Sequence, residues 1–128
     1  MVAILVPVAA GELIDKITIL EIKMVKLNDA KQTKNVKKEL NYLLEVFEQQ
    51  FDDDILEQLK GDLRKINEAL WVIEDDLRSM ERRGDFGVDF IELARSVYKK
   101  NDRRAALKKE INMLLGSEII EEKSYQAY

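Results

Sequence analysis

Four carboxylate residues of the sequence have the type and spacing to do chemistry: Asp15 and Glu21 in one helical stretch, Glu74 and Asp75 in another. At 100° per residue, Glu21 falls at the edge of an apolar seam and Asp15 falls among apolar residues on the opposite face. A buried carboxylate without a partner costs several kcal/mol or has a raised pKa. Each of these side chains must therefore meet a cation, a metal ion or water.

Two interpretations of these carboxylates follow from the cations that the chain offers. In the favoured one, Asp15 and Glu21 form structural ion pairs with Arg78, Arg95 or Arg104. In the alternative, carboxylates from facing helices hold a divalent cation, as helical bundles do, and the arginines bind phosphate. The second interpretation predicts a Mg²⁺-dependent enzyme acting on a nucleotide or another phosphorylated substrate.

The absence of two residue types narrows the chemistry further. The 128-residue chain contains no His and no Cys. Structural zinc, thiol chemistry, Ser-His triads and imidazole catalysis are therefore excluded. A metal site would have to be built from carboxylates, which favour Mg²⁺ or Mn²⁺. We assign no metal ligand and no cofactor from the sequence alone.

Charge and hydropathy indicate where the protein works. The net charge is −4 and the pI is about 5.0, so binding to nucleic acid is disfavoured. The apolar residues 1–10 lack the basic start of a signal peptide, and no apolar run has the length of a membrane span. Together with the missing cysteines, this predicts a cytoplasmic protein that does not enter a membrane.

The elements that position these residues are helical. Residues 11–27 are apolar on nearly every side, which is typical of a helix buried between neighbours, so we expect this helix at the centre of the fold. Apolar residues recur at steps of three and four in further stretches, of which the third is the most regular. The predicted helices cover residues 11–27, 33–50, a stretch from 52–54 to 82–84, and 88–115.

The fourth stretch loses its apolar seam in the basic run 99–104. Either the helix restarts at Asn101 or Asp102, or a polar layer crosses the bundle there; one continuous helix is preferred. The basic residues of 99–109 are interpreted as a solvated face, balanced by Glu110 and the acidic tail, with phosphate binding as the alternative.

Short turns between four such helices predict a single all-α domain over residues 1–128, an antiparallel four-helix bundle. Residues 2–8 are predicted to be a short extended segment that packs on the helices or pairs with another chain. A C-terminal tail follows the last helix.

Several stretches resemble an uncharacterised family of small helical proteins of bacteria and phages, a domain of unknown function. The family has no established activity, so the resemblance assigns no catalytic residue. Some relatives lie near genes for cell-surface polysaccharide synthesis, which implies a pathway at most. The matching stretches are GELIDKITILEIK at 11–23, NVKKEL at 35–40, LWVIEDDLR at 70–78, FIELARSVYKKNDRRAALKKEIN at 90–112 and EEKSY at 121–125.

The sequence favours a cytoplasmic helical binding module over the Mg²⁺-dependent enzyme. Its partner would be another protein or a second copy of the chain. Whether Asp15, Glu21, Glu74 and Asp75 converge on one point discriminates between the two, because only the enzyme requires a shared site.

Overall fold

The computed structural model describes residues 2–51 and 54–128. Its four helices are α1 (Ala10–Lys26), α2 (Ala30–Gln50), α3 (Asp54–Arg83) and α4 (Val88–Leu114). The described residues form no strand. The predicted all-α, antiparallel four-helix fold is confirmed.

Helix α1 is the central element, as its apolar surround predicts. It packs against α2, α3 and α4. The end of α2 also reaches α3, where Lys60 Nζ lies 5.4 Å from the centre of the Phe47 ring. Ile14 and Ile17 are fully buried, and Leu20 and Ile22 nearly so. The long helices α3 and α4 form the other main contact of the fold.

The core lies where the beginning of α3 and the end of α4 pack against α1 and the end of α2. Leucine and isoleucine dominate it because their positions follow the three-four seams of the helices. The buried members are Leu13, Ile14, Ile17, Phe47, Leu56, Leu63, Leu107 and Ile111.

Two helix boundaries differ from the predicted ones in an informative way. Helix α2 begins at Ala30, earlier than predicted, because Asp29 caps it by accepting a hydrogen bond of 2.8 Å from the Gln32 backbone. Helix α4 continues through Asn101 and Asp102, so the preference for one continuous helix is confirmed. The acidic cap predicted for α3 falls mainly on Asp52 and Asp53, outside the described residues.

The two terminal segments are irregular. Residues 2–8 have no regular secondary structure and pair with no strand in the described chain. Residues 117–128 return along α4: Glu121 lies 3.4 Å from Lys108, and the ring of Tyr128 lies 5.1 Å from that of Tyr98. No helix in the described part of the chain is long and apolar enough to cross a membrane.

Candidate functional site

Asp15 lies at the point where α1 meets α3 and α4, and its side chain is almost completely buried. Its Oδ1 atom accepts hydrogen bonds from Asn67 Nδ2 at 2.9 Å and Arg104 Nε at 3.0 Å. Arg104 Nη2 donates to Oδ2, which makes the contact bidentate. Thr18 completes the group by accepting from Asn67 Nδ2 at 2.9 Å. Asp15 and Arg104 thus form an ion pair at a buried site, and both carboxylate oxygens of Asp15 accept hydrogen bonds.

Lys108 lies next to this ion pair and links α4 to α1 and to the C-terminal segment. Its Nζ lies 2.7 Å from Glu12 Oε2, 3.4 Å from Glu121 Oε2 and 4.0 Å from Asp15 Oδ2. Burial alone would lower the pKa of Lys108, but the hydrogen bond to Glu12 and the nearby carboxylates raise it overall. The hydrogen bond to Asp15 likewise raises the pKa of Arg104 despite partial burial. Both cations therefore stay charged.

Glu21 lies apart from Asp15 and pairs with other cations than those predicted. Its Oε1 lies 3.5 Å from Lys60 Nζ, and its Oε2 lies 3.5 Å from Arg64 Nη1. The Oε1 atom is buried and has no hydrogen bond within the described residues. The partners of Glu21 both belong to α3, because this face of α1 turns toward the first half of that helix.

A groove between α1, α3 and α4 contains four of the residues singled out in the sequence. We call it the Trp71 cleft; its volume is about 470 Å³. Asn67, which holds Asp15, also lines the cleft and connects it to the buried pair. The lining residues are Ile19, Ile22, Asn67, Leu70, Trp71, Glu74, Asp75, Arg78 and Arg104.

Most charges in the Trp71 cleft neutralise one another. Arg78 hydrogen-bonds the Glu74 carboxylate one helical turn away, and Arg104 is bound to Asp15. Asp75 is exposed and has no ion-pair partner among the described residues. The cleft therefore combines an apolar floor with one uncompensated negative charge at its rim.

Arg95 lies outside the cleft. Its Nη1 is 3.3 Å from Glu92 Oε1 on the same helix. A hydrogen bond with Tyr98 and the charge of Glu92 raise its pKa. Of the three predicted anion-binding arginines, the structure brings Arg78 and Arg104 to one cleft and leaves Arg95 on the surface of α4.

The four candidate carboxylates occupy separate environments. Asp15 is buried, Glu21 faces α3, and Glu74 and Asp75 lie at the cleft rim. Within residues 2–51 and 54–128, no three acidic side chains are grouped so that they could hold a metal ion together. What the arrangement offers chemically is an apolar groove beside a fixed ion pair.

A sequence model of the family of unknown function DUF6165 matches residues 4–128. The chain belongs to the DUF6165 family. No curated protein matches it, and no solved structure does. Family membership therefore agrees with the resemblance seen in the sequence, but it assigns no activity to the cleft.

Sequence reasoning missed several polar residues that hold this DUF6165 chain together. Asn112 Oδ1 accepts from the Gly11 backbone at 2.6 Å, and Ser117 Oγ accepts from the Ala10 backbone at 3.0 Å. Asn67 lies between Leu63 and Leu70 at steps of four and three, which is the signal that could have found it. A polar residue at a seam position needs a buried partner, and Asp15 is that partner.

Proposed function

We propose that the chain is a helical interaction module that binds a partner protein through the Trp71 cleft. The bound segment carries an apolar anchor, such as Leu or Phe, next to a Lys or Arg. The observation that carries the proposal is the uncompensated Asp75 at the rim of a groove floored by Leu70, Trp71 and Ile19.

The size of the cleft supports a side-chain anchor. A volume of about 470 Å³ lies in the range of pockets that enclose small ligands or a few side chains. Trp71 supplies a rigid apolar surface at low cost in conformational entropy, which is why tryptophan is frequent at binding hot spots. Groove binding by an apolar anchor is a recurrent mode of peptide recognition.

The charges of the cleft support a basic neighbour for that anchor. Arg104 and Arg78 are already neutralised by carboxylates, so they offer little net attraction to a phosphate. Asp75 attracts a cation instead, with an exposed pair contributing up to about 1 kcal/mol. An acidic or phosphorylated partner is therefore disfavoured.

The Mg²⁺-dependent enzyme is the weaker candidate on the same geometry. It requires Asp15, Glu21, Glu74 and Asp75 to share a site, and Asp15 and Glu21 instead pair with cations of the chain itself. If Mg²⁺ or Mn²⁺ with nucleotides raised the melting temperature, and Glu21→Gln and Glu74→Gln removed that effect, the enzyme would be preferred.

We further place this binding in the cytoplasm of a bacterium or phage-infected cell, and in the process of cell-surface polysaccharide synthesis. The support for the organism and the pathway is the family resemblance alone, and the support for the cytoplasm is the absence of cysteine from the chain. Deletion of the gene should reduce the surface polysaccharide of the cell; unchanged polysaccharide would remove this part of the proposal.

Trp71 is the sole tryptophan of the chain, so its emission reports directly on the cleft. We expect short peptides with a Leu or Phe anchor flanked by Lys to shift that emission. The same peptides flanked by Glu should bind about fivefold more weakly, as expected for about 1 kcal/mol. The shift is measured by fluorescence titration at low salt.

Charge reversal at the rim is the decisive variant. Asp75→Lys should invert the preference between Lys-flanked and Glu-flanked peptides. Asp76→Lys is the matched control, because Asp76 is also an exposed aspartate of α3 but does not line the cleft. Emission that no peptide changes, or a preference that both variants alter equally, would contradict the proposal.

A further inference from the structure

The C-terminal tail, residues 117–128, lies along α4 with its carboxylates on cations of the helix. Glu121 Oε2 is 3.4 Å from Lys108 Nζ, and Glu122 Oε2 is 3.1 Å from Lys109 Nζ. Two adjacent carboxylates of the tail thus meet two adjacent ammonium groups of α4. The chain itself shows which chemistry this face of α4 accepts, namely that of a short acidic segment.

An aromatic contact defines the direction of the tail. The rings of Tyr98 and Tyr128 lie 5.1 Å apart, edge to face, with an angle of 65° between the ring planes. Tyr98 precedes Lys108 by ten residues, which is about 15 Å along a helix. The tail therefore runs antiparallel to α4, with its acidic pair near the end of the helix and its aromatic residue about three turns earlier.

The charges of α4 explain why an acidic segment lies there. The carboxylates of α1 neutralise Arg104 and Lys108. Lys109, in contrast, has no ion-pair partner other than Glu122 within the described part of the chain. Without the tail, this face would carry an uncompensated positive charge at Lys109, next to Lys108. A segment with two adjacent carboxylates complements that charge distribution.

The tail is held loosely enough to be replaced. Every residue from 118 to 128 is exposed. Past Ser117, the backbone of the tail makes no hydrogen bond to another backbone group of the described residues. Cavities of about 140 Å³ beside Glu121 and about 520 Å³ beside Tyr125 remain between the tail and α4. Exposed ion pairs contribute little stability each, so release of the tail is a small change for the fold.

We propose that the tail is an internal competitor, and that this face of α4 binds an acidic segment of a partner protein in place of the tail. The segment has the pattern of the tail: two adjacent carboxylates for Lys108 and Lys109, and an aromatic residue for Tyr98. Because the tail is tethered at Ser117, it competes at an effective concentration on the order of millimolar. The partner segment must therefore bind α4 more tightly than the tail does. This inference does not depend on the Trp71 cleft.

A synthetic peptide of residues 117–128 tests whether α4 accepts such a segment from outside. The peptide carries a fluorophore, and its anisotropy at low ionic strength measures binding to the full chain and to the variant Glu121→Gln/Glu122→Gln. The variant should bind the peptide about tenfold more tightly, as expected if the wild-type tail lies on α4 for about nine-tenths of the time. Glu118→Gln is the matched control and should bind like the wild type, because Glu118 lies in the tail but forms no ion pair with any described residue.

The α4 side of the contact is tested in the background of the double variant. Adding Lys109→Gln should weaken peptide binding at least about threefold, whereas adding Lys99→Gln should change it by less than about 1.5-fold. Lys99 is an exposed lysine of the same helix that lines neither cavity under the tail. Equal effects of the two lysines would overturn the proposal, and so would a double variant that binds the peptide no better than the wild type. Circular dichroism checks that the helices remain.

Cross-linking tests the position of the tail in the unmodified chain. A carbodiimide joins a carboxylate to an amine that it contacts directly. We expect mass spectrometry to find an amide between Lys109 and Glu122 at low salt, and at least about threefold less of it at about 1 M salt, where charges are strongly screened. Absence of this link at low salt, or equal linking of Glu118 to the same lysine, would overturn the proposal.

One further variant separates this site from the Trp71 cleft. If the acidic peptide bound in the cleft, Asp75→Lys would strengthen its binding and the peptide would shift the emission of Trp71. We expect neither effect when Asp75→Lys is added to the double variant. Both effects together would overturn the proposal in favour of the cleft. Failure of Lys-flanked peptides to bind the cleft would leave all the outcomes at α4 unchanged, so the two proposals fail independently.

Discussion

Asp15 is the residue at which three helices are fastened together. Asp15 belongs to α1, and its carboxylate accepts hydrogen bonds from Asn67 of α3 and Arg104 of α4. Asn67 and Arg104 lie at matching distances from the turn between α3 and α4, so one carboxylate fixes the register of both helices. An ion pair of this kind specifies an arrangement more than it adds stability, because burying the charges is costly.

Removing one partner of this pair should therefore be strongly destabilising. Asp15→Ala leaves Arg104 partly buried without its carboxylate, and we expect the free energy of unfolding to fall by about 3 kcal/mol. That figure lies at the low end because the Arg104 side chain is 28% exposed. Urea denaturation followed by circular dichroism measures the change.

The matched control for Asp15 is Glu21, the other carboxylate of α1. Its ion pairs are longer and more exposed, so Glu21→Ala should cost less than about 1 kcal/mol. In the double variant Asp15→Ala/Arg104→Met, the arginine is no longer left unpaired, and the two effects should be non-additive by about 2 kcal/mol. Strict additivity would show that the pair is not coupled.

The sequence was sufficient to expect Asp15 opposite an arginine, but not to choose the partners of Glu21. Helical periodicity fixes the face on which a side chain lies. It does not fix how far one helix slides along its neighbour, and that offset brings Lys60 and Arg64 to Glu21. The convergence of Glu74, Asp75, Arg78 and Arg104 on one cleft depends on the same offset, so only the structure reveals it.

At the scale of elements, α1 and α4 approach each other unusually closely at Gly11. A Cβ atom built on Gly11 would lie 2.4 Å from the Lys108 carbonyl oxygen. The Gly11 N–H donates a hydrogen bond of 2.6 Å to Asn112 Oδ1, which ties the backbone of α1 to a side chain of α4. A side chain at position 11 would therefore force the two helices apart.

A pair of glycine substitutions tests that close approach. Gly11→Ala should lower the free energy of unfolding by about 1–3 kcal/mol, because the α1–α4 contact must open to admit a methyl group. Gly61→Ala should raise it by about 0.5–1 kcal/mol, since Gly61 lies within α3 with nothing within 4 Å of its Cβ position. Thermal unfolding compares the two. A destabilising Gly61→Ala would mean that α3 is not a regular helix there.

Element boundaries were largely predictable from sequence, because seams and turn residues act locally. The third helix follows its apolar spacing, and Gly84 with a φ of 67° ends it as a C-terminal glycine does. What periodicity could not show is the course of residues 117–128, which depends on distant charge pairs such as Lys109 with Glu122. Irregular segments held by single contacts leave no periodic signal.

At the scale of the whole molecule, burial is concentrated at one end of the long hairpin of α3 and α4. The buried residues of α3 end at Ile73, and those of α4 begin at Leu107. The Trp71 cleft lies at the boundary between this packed end and the far part of the hairpin, residues 74–106. That far part is held to α1 by Arg104 with Asp15 and to the C-terminal tail by Tyr98 with Tyr128, but none of its residues is buried.

Hydrogen exchange should therefore divide the hairpin into two parts. Regions with few buried apolar contacts open at a lower free energy than the core. We expect amides of residues 76–100 to exchange at least about tenfold faster than those of 56–67 and 107–112, corresponding to at least about 1.4 kcal/mol. Mass spectrometry of peptic fragments measures both regions in one experiment, which removes differences between samples.

The same measurement connects stability to binding. A peptide held in the Trp71 cleft contacts α3 at Leu70 and Trp71, so it should slow exchange in the first turns of the far hairpin and leave residues 107–112 unchanged. Asp75→Lys should abolish that protection for a Lys-flanked peptide, because the attraction at the rim becomes repulsion. Uniform exchange along α3 and α4 before any peptide is added would show that the hairpin opens as one cooperative unit, and the expected difference between its two parts would be wrong.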